Sequence, residues 1–180
     1  MSSFSKTDQG LLLHLDEAEV PILRRTATRV LEIITHHEPT AGNEDPLARM
    51  MEISTNDKLP ENPILARLFP NAYADEQSAG EFRRYTESSL YGKKQRAIAN
   101  LLNSLPLSGA VNIELNIDGI DQWMRAINDL RLALGVILDI DENSEERFAE
   151  ISDEDPIFFT LQIFYWLGWL QENLIEYATN

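Results

Sequence analysis

A chain of 180 residues with 43% apolar content is long enough for one domain that buries roughly 70% of its unfolded surface. It has no cysteine, which excludes disulfides, thiolate metal sites and thiol nucleophiles by count. Thirty acidic residues against 15 basic ones give a net charge of -15, which repels the DNA backbone and leaves only weak nucleic-acid contact at low salt as the expectation.

The opening residues, Met1 to Asp8, lack the basic and apolar regions of an export signal. The longest apolar run, residues 157–170, falls short of the roughly 20 residues that span a bilayer. The reading is a cytoplasmic protein without a membrane segment.

Residues 10–15 form a short apolar run suited to a strand. Asp16-Glu17-Ala18-Glu19 then signals a helix start, and Val20, Leu23, Ala27, Val30, Leu31 and Ile34 recur at helical spacing up to about His36. Pro21 falls in the first turn, where a missing N–H costs least. A polar connector around 37–62 is interrupted by Leu47, Met50, Met51 and Ile53, read as one short helix.

Asp45-Pro46, Asn62-Pro63 and Asp155-Pro156 share one start signal, a capping side chain followed by a proline at the first helical position. The helix opened by Asn62 is stopped by Pro70. A longer helix is expected from about 75 to 104, with Phe82, Tyr85, Leu90, Ala97, Leu101 and Leu105 inward, weakened or divided at Gly80 and Gly92. Residues 110–116 alternate strictly, the pattern of a half-buried strand whose natural partner is the run near 11–15. Asp118 and Asp121 open a helix with a wide apolar stripe of Ile120, Trp123, Met124, Ile127, Leu130, Leu134 and Ile137. The last segment, after Pro156, is apolar on every side, so it is expected to be enclosed by other helices or across a homodimer.

Charge is unevenly placed. Residues 139–155 hold nine acids against Arg147 alone, an acidic connector, while Arg83, Arg84, Lys93, Lys94 and Arg96 form a basic island against Glu87. That island is the candidate interaction surface. Arg125 lies four residues from both Asp121 and Asp129, and with Arg131 this set reads as structural ion pairs or as the lining of a pocket.

No GxSxG, P-loop or GxGxxG motif occurs, and no catalytic residue or cofactor site is assigned. Adjacent His36 and His37 point about 100 degrees apart on a helix and cannot share a metal in the i, i+4 manner. His14 reads as a strand histidine. Asp139, Asp141, Asn143, Glu145 and Glu150 match positions of a calcium loop. Ser144 replaces the turn glycine, however, and Arg147 brings a cation to the proposed cation. An acidic connector is the reading, with no metal assigned.

Four blocks, 63–73 (PILARLFPNAY), 81–86 (EFRRYT), 123–135 (WMRAINDLRLALG) and 166–172 (WLGWLQE), together resemble the actinobacterial domain-of-unknown-function family 2017, and the first strand and helix also fit. The resemblance implies a link to an oxidative-stress transcriptional regulator of actinomycetes that acts with an alternative sigma factor. It also implies genes beside the adaptor of the Clp protease. The switch implied there is a thiol one, which a cysteine-free chain does not carry.

The expectation is a mainly α (α+β) single domain, residues 1–180, of about five to six helices with a two-stranded β element. Its expected role is a regulatory or adaptor protein with a protein partner, a sigma factor or a proteolysis adaptor being the candidates. The alternative is a small-ligand binder or enzyme with a pocket between the Trp123 and Trp166 helices.

Overall fold

The computed structural model describes residues 1–8, 10–37, 54 and 56–179; the short helix and the Asp45-Pro46 start expected inside the 37–62 connector lie outside the described residues. The described elements are β1 (Ser3–Thr7), β2 (Gly10–Leu15), α1 (Glu19–His36), α2 (Pro63–Leu68), α3 (Glu76–Ser104), β3 (Val111–Leu115), α4 (Ile117–Ile137), α5 (Ser144–Ala149) and α6 (Phe158–Thr179).

The sheet is antiparallel with order β1-β2-β3. β2 pairs with β3 as the alternation predicts, in the register Leu11↔Leu115, Leu13↔Ile113 and Leu15↔Val111. Leu11, Leu13, Leu15, Ile113 and Leu115 are buried on the helical side. The close approach fixes Gly10, where a Cβ would lie 2.1 Å from the Leu115 carbonyl oxygen. The third strand corrects the two-stranded expectation. β1 reads Ser-Phe-Ser-Lys-Thr and is mostly exposed, so as an edge strand it carries almost none of the apolar alternation that sequence reading depends on.

Helix starts follow the capping logic. Asn62 Oδ1 accepts from the N–H of Ile64 and Leu65, and Pro63 stands at the first position of α2. Asp75 caps α3 through Ser78 N–H at 2.8 Å. α4 is capped through Gly119 N–H at 2.8 Å by Asn116 rather than by the expected Asp118 or Asp121, since the helix already starts at Ile117 and puts Asp118 in its first turn. At Asp155-Pro156 the signal is displaced. Asp155 Oδ1 accepts from Ile157 N–H, and α6 begins at Phe158.

The centre of the molecule is α4. It packs against α1, α2, α3, α6 and β3, burying Ile120, Trp123, Ala126, Ile127, Leu130, Ala133 and Leu134, while Ile137 is exposed. The core cluster runs from Leu11 to Leu174.

Two expectations about inward faces are corrected. α6 is not enclosed. Leu161, Ile163, Leu167, Gly168, Leu170 and Leu174 face inward, but Phe159, Tyr165 and Trp169 are 49%, 52% and 38% exposed. In α3, which runs unbroken through Gly80 and Gly92, Phe82, Tyr85 and Leu90 face outward while Ala79, Gly80, Arg83, Glu87 and Tyr91 face inward. Only the C-terminal half, with Ala97, Ile98 and Leu101 buried, follows the apolar pattern. The reason lies in what α3 packs against in its first half, as the geometry around Arg83 makes plain.

Candidate functional site

Arg83 is 5% exposed and Glu87 1%. One turn apart on α3, they form an ion pair of 3.0 Å between Nη1 and Oε1. Arg83 Nη2 donates to the Phe69 carbonyl and to Asn71 Oδ1, both at 3.0 Å, and Asn56 Nδ2 donates to Glu87 Oε2 at 3.0 Å. The turn that ends α2 thus leaves a carbonyl inside the protein, and a buried guanidinium satisfies it. Phe69 stacks on Tyr91 at 4.0 Å beneath this network.

The basic island is therefore not one surface. Arg83 is buried; Arg84 donates through Nε to the Ser54 carbonyl at 3.2 Å; and Lys94 reaches across to Asp129 at 2.7 Å. Lys93 and Arg96 stand exposed on α3. The charged set on α4 is separated likewise. Arg125 pairs with Asp121 at 2.7 Å on the solvent side, whereas Asp129 is buried against α3 with Lys94. Burial pushes the Asp129 carboxyl above its ordinary range, and the Lys94 ammonium pulls it back.

Arg131 faces a third direction, toward α6. Its Nη1 donates to Gln171 Oε1 at 2.5 Å, and its guanidinium carbon lies 4.9 Å from the centre of the Phe164 ring. It packs against the α6 backbone at Gly168, where an added Cβ would stand in ordinary van der Waals contact, 3.4 Å from both Cζ and Nη2 and 3.6 Å from Nε. Arg131 Nε is buried without a hydrogen-bond partner. Beside it opens a cleft of about 430 Å³, lined by Arg67, Asn128, Arg131, Leu132, Gly135, Val136, Asp139, Ile140 and Phe164. Of the three charged residues expected to line a pocket, Arg131 does so and Arg125 and Asp129 do not. Arg67 and Gly168 were legible only as parts of the PILARLF and WLGWL blocks.

A second cleft, of about 290 Å³, lies on α3 between Pro70, Phe82, Thr86 and Leu90, with Arg83 and Glu87 at its floor. The acidic connector contains α5, whose start is organised by Asp141: its Oδ1 accepts from Asn143 N–H and Ser144 Oγ. The Ser144 hydroxyl holds the Asp141 carboxyl below its ordinary range. Arg147 turns back onto the carbonyls of Leu138 and Asp139. Half of the calcium-loop template is thus helical. His36 and His37 are exposed at the end of α1, bonded to the carbonyls of Glu32 and Ile33, and His14 Nδ1 lies 2.8 Å from Asn112 Oδ1. No described helix is long and apolar enough to cross a membrane.

A family model described as a domain of unknown function, DUF2017, matches residues 1–178. A Mycobacterium leprae protein provisionally named oxidative stress regulator AosR is 30% identical over 176 residues, covering 87% of this chain and 77% of the relative. The oxidative stress regulators AosR of Mycobacterium bovis and Mycobacterium tuberculosis are 27% identical over 172 residues, with the same coverage. No solved structure matches.

Proposed function

The chain belongs to the DUF2017 family, and from that premise we propose that it is a cytoplasmic regulator of the oxidative stress response that works by contact with another protein. The reading rests on relatives named as oxidative stress regulators. A sigma factor is the first candidate partner and a proteolysis adaptor the second, as the sequence resemblance implies.

The observation that carries the contact mode is the outward side of α6. No charged residue occurs between Asp155 and Glu172, and Phe159, Tyr165 and Trp169 stand on the surface with Phe4 against Trp169 at 5.5 Å. In a chain of net charge -15, an uncharged aromatic face is where a partner buries apolar area at least electrostatic cost. With no cysteine in the chain, any redox signal enters through the partner or through abundance.

The test is a titration of a candidate sigma factor into wild-type protein and into a Tyr165→Glu, Trp169→Glu variant by isothermal calorimetry. The double variant is expected to bind at least about tenfold more weakly, the loss of one desolvated aromatic anchor being enough for that. Equal affinity for both proteins removes α6 as the contact face. Light scattering across dilute and concentrated samples examines the homodimer version, in which the same face pairs with its own copy and the variant stays monomeric.

A further inference from the structure

We propose that the cleft between α2, α4 and α6 is a binding site for a small organic monocarboxylate, with Arg131 receiving the carboxylate and Arg67 completing the charge. The argument begins with how tightly Arg131 is held. Gly168 lies nearly equidistant from Cζ, Nη2 and Nε, at 3.4 to 3.6 Å for an added Cβ, so the guanidinium lies face-on to the α6 backbone. Phe164 supplies a ring contact at 4.9 Å, and Gln171 takes Nη1. A long, rotamer-rich side chain is thereby fixed before any ligand arrives, which removes much of the ordering cost of binding.

What that fixation leaves over is the second point. No carboxylate pairs with Arg131 among the described residues, and its Nε has no acceptor although it is buried. Buried donors are almost always satisfied, and an orphan beside a cleft calls for an acceptor. Nε itself is covered, so the donor open to the cleft is Nη2, for which a carboxylate oxygen is a charge-assisted acceptor and beside which Nε comes within reach once the guanidinium shifts. Arg67, exposed on α2 and likewise without a described acid partner, lines the same cleft.

The remaining wall selects the ligand. Leu132, Val136, Ile140 and Phe164 line the cleft, and its volume of about 430 Å³ lies within the range of small-molecule sites. Two arginines face one acid there, Asp139, leaving one net positive charge. With the whole chain at -15, a polyanion is disfavoured and a monoanion with an apolar body is matched.

The test follows the Arg131 Nε–H resonance in ¹⁵N-labelled protein while benzoate, acetate or inorganic phosphate is added at constant ionic strength. Benzoate is expected to shift it with saturation and to bind about tenfold more tightly than acetate, from burial of the ring, with phosphate weakest. Arg131→Gln is expected to reduce benzoate affinity by at least about tenfold, whereas Arg125→Gln, which removes an exposed partner of Asp121, is expected to leave it unchanged. A benzoate shift that does not saturate, or benzoate affinity equal in wild-type and folded Arg131→Gln protein, overturns the proposal. If Arg131→Gln fails to fold by circular dichroism, saturation or its absence in the wild-type titration decides alone. The site shares no residue with the partner face on α6, although the Phe164 and Tyr165 rings touch, and its failure leaves the regulatory reading standing.

Discussion

Single residues decide stability here through burial and capping. Arg83 and Glu87 are both enclosed, so removing one partner strands the other's charge in the interior. Glu87→Ala is expected to destabilise by about 3 to 5 kcal/mol, read from the urea midpoint. Asp75 acts at the surface. Its bonds from the Ser78 N–H and hydroxyl hold its carboxyl below the ordinary range, so the folded state binds this proton later than the unfolded chain does. The contribution is therefore fully present above the unfolded carboxylate range, near pH 4, and is lost as pH falls through the lowered folded value. Asp75→Asn keeps a capping oxygen that does not titrate, and urea midpoints taken from pH 5 down to pH 3 are expected to fall less steeply for it than for wild type.

At the scale of elements, α3 and α6 show where periodicity reads correctly and where it does not. The apolar residues of α6 outnumber the places available for them, because α4 covers one side alone. Leu167 is fully buried there while Trp169 is on the surface. Leu167→Ala is expected to cost about 2 to 5 kcal/mol, and Trp169→Ala under about 1 kcal/mol, as compared by urea denaturation. A Trp169→Ala loss equal to that of Leu167→Ala shows the outer face to be covered. In α3 the inward positions 83, 87 and 91 do keep helical spacing, with Arg and Glu occupying two of them. An i, i+4 Arg–Glu pair looks the same in sequence whether it is solvated or buried, so the apolar pattern alone favours the neighbouring aromatics as the core face.

For the whole molecule, the cysteine count governs redox behaviour. The sulfurs belong to Met1, Met50, Met51 and Met124, none of which forms a crosslink. Treatment with diamide, a thiol oxidant, is expected to leave the intact mass and the urea midpoint unchanged, by mass spectrometry and denaturation. A mass increase or a covalent dimer contradicts this. The net charge of -15 acts at the same scale, since it repels the phosphate backbone of nucleic acid.

The sequence by itself determined the mainly helical class, the β2–β3 pairing, the boundaries of α1, α2 and α4 and the family, because apolar periodicity, strict alternation and capping side chains are local signals. The fold decided the rest. It made α4 rather than α6 the centre, added β1 as a polar edge, sent Arg125, Asp129 and Arg131 to three different surroundings, and brought Arg67 to Arg131 across 64 residues of chain. Which face of an apolar helix is covered, and which acid a given arginine meets, depends on elements distant in sequence. No local pattern encodes that, since burial and charge pairing exist only once the layers have packed.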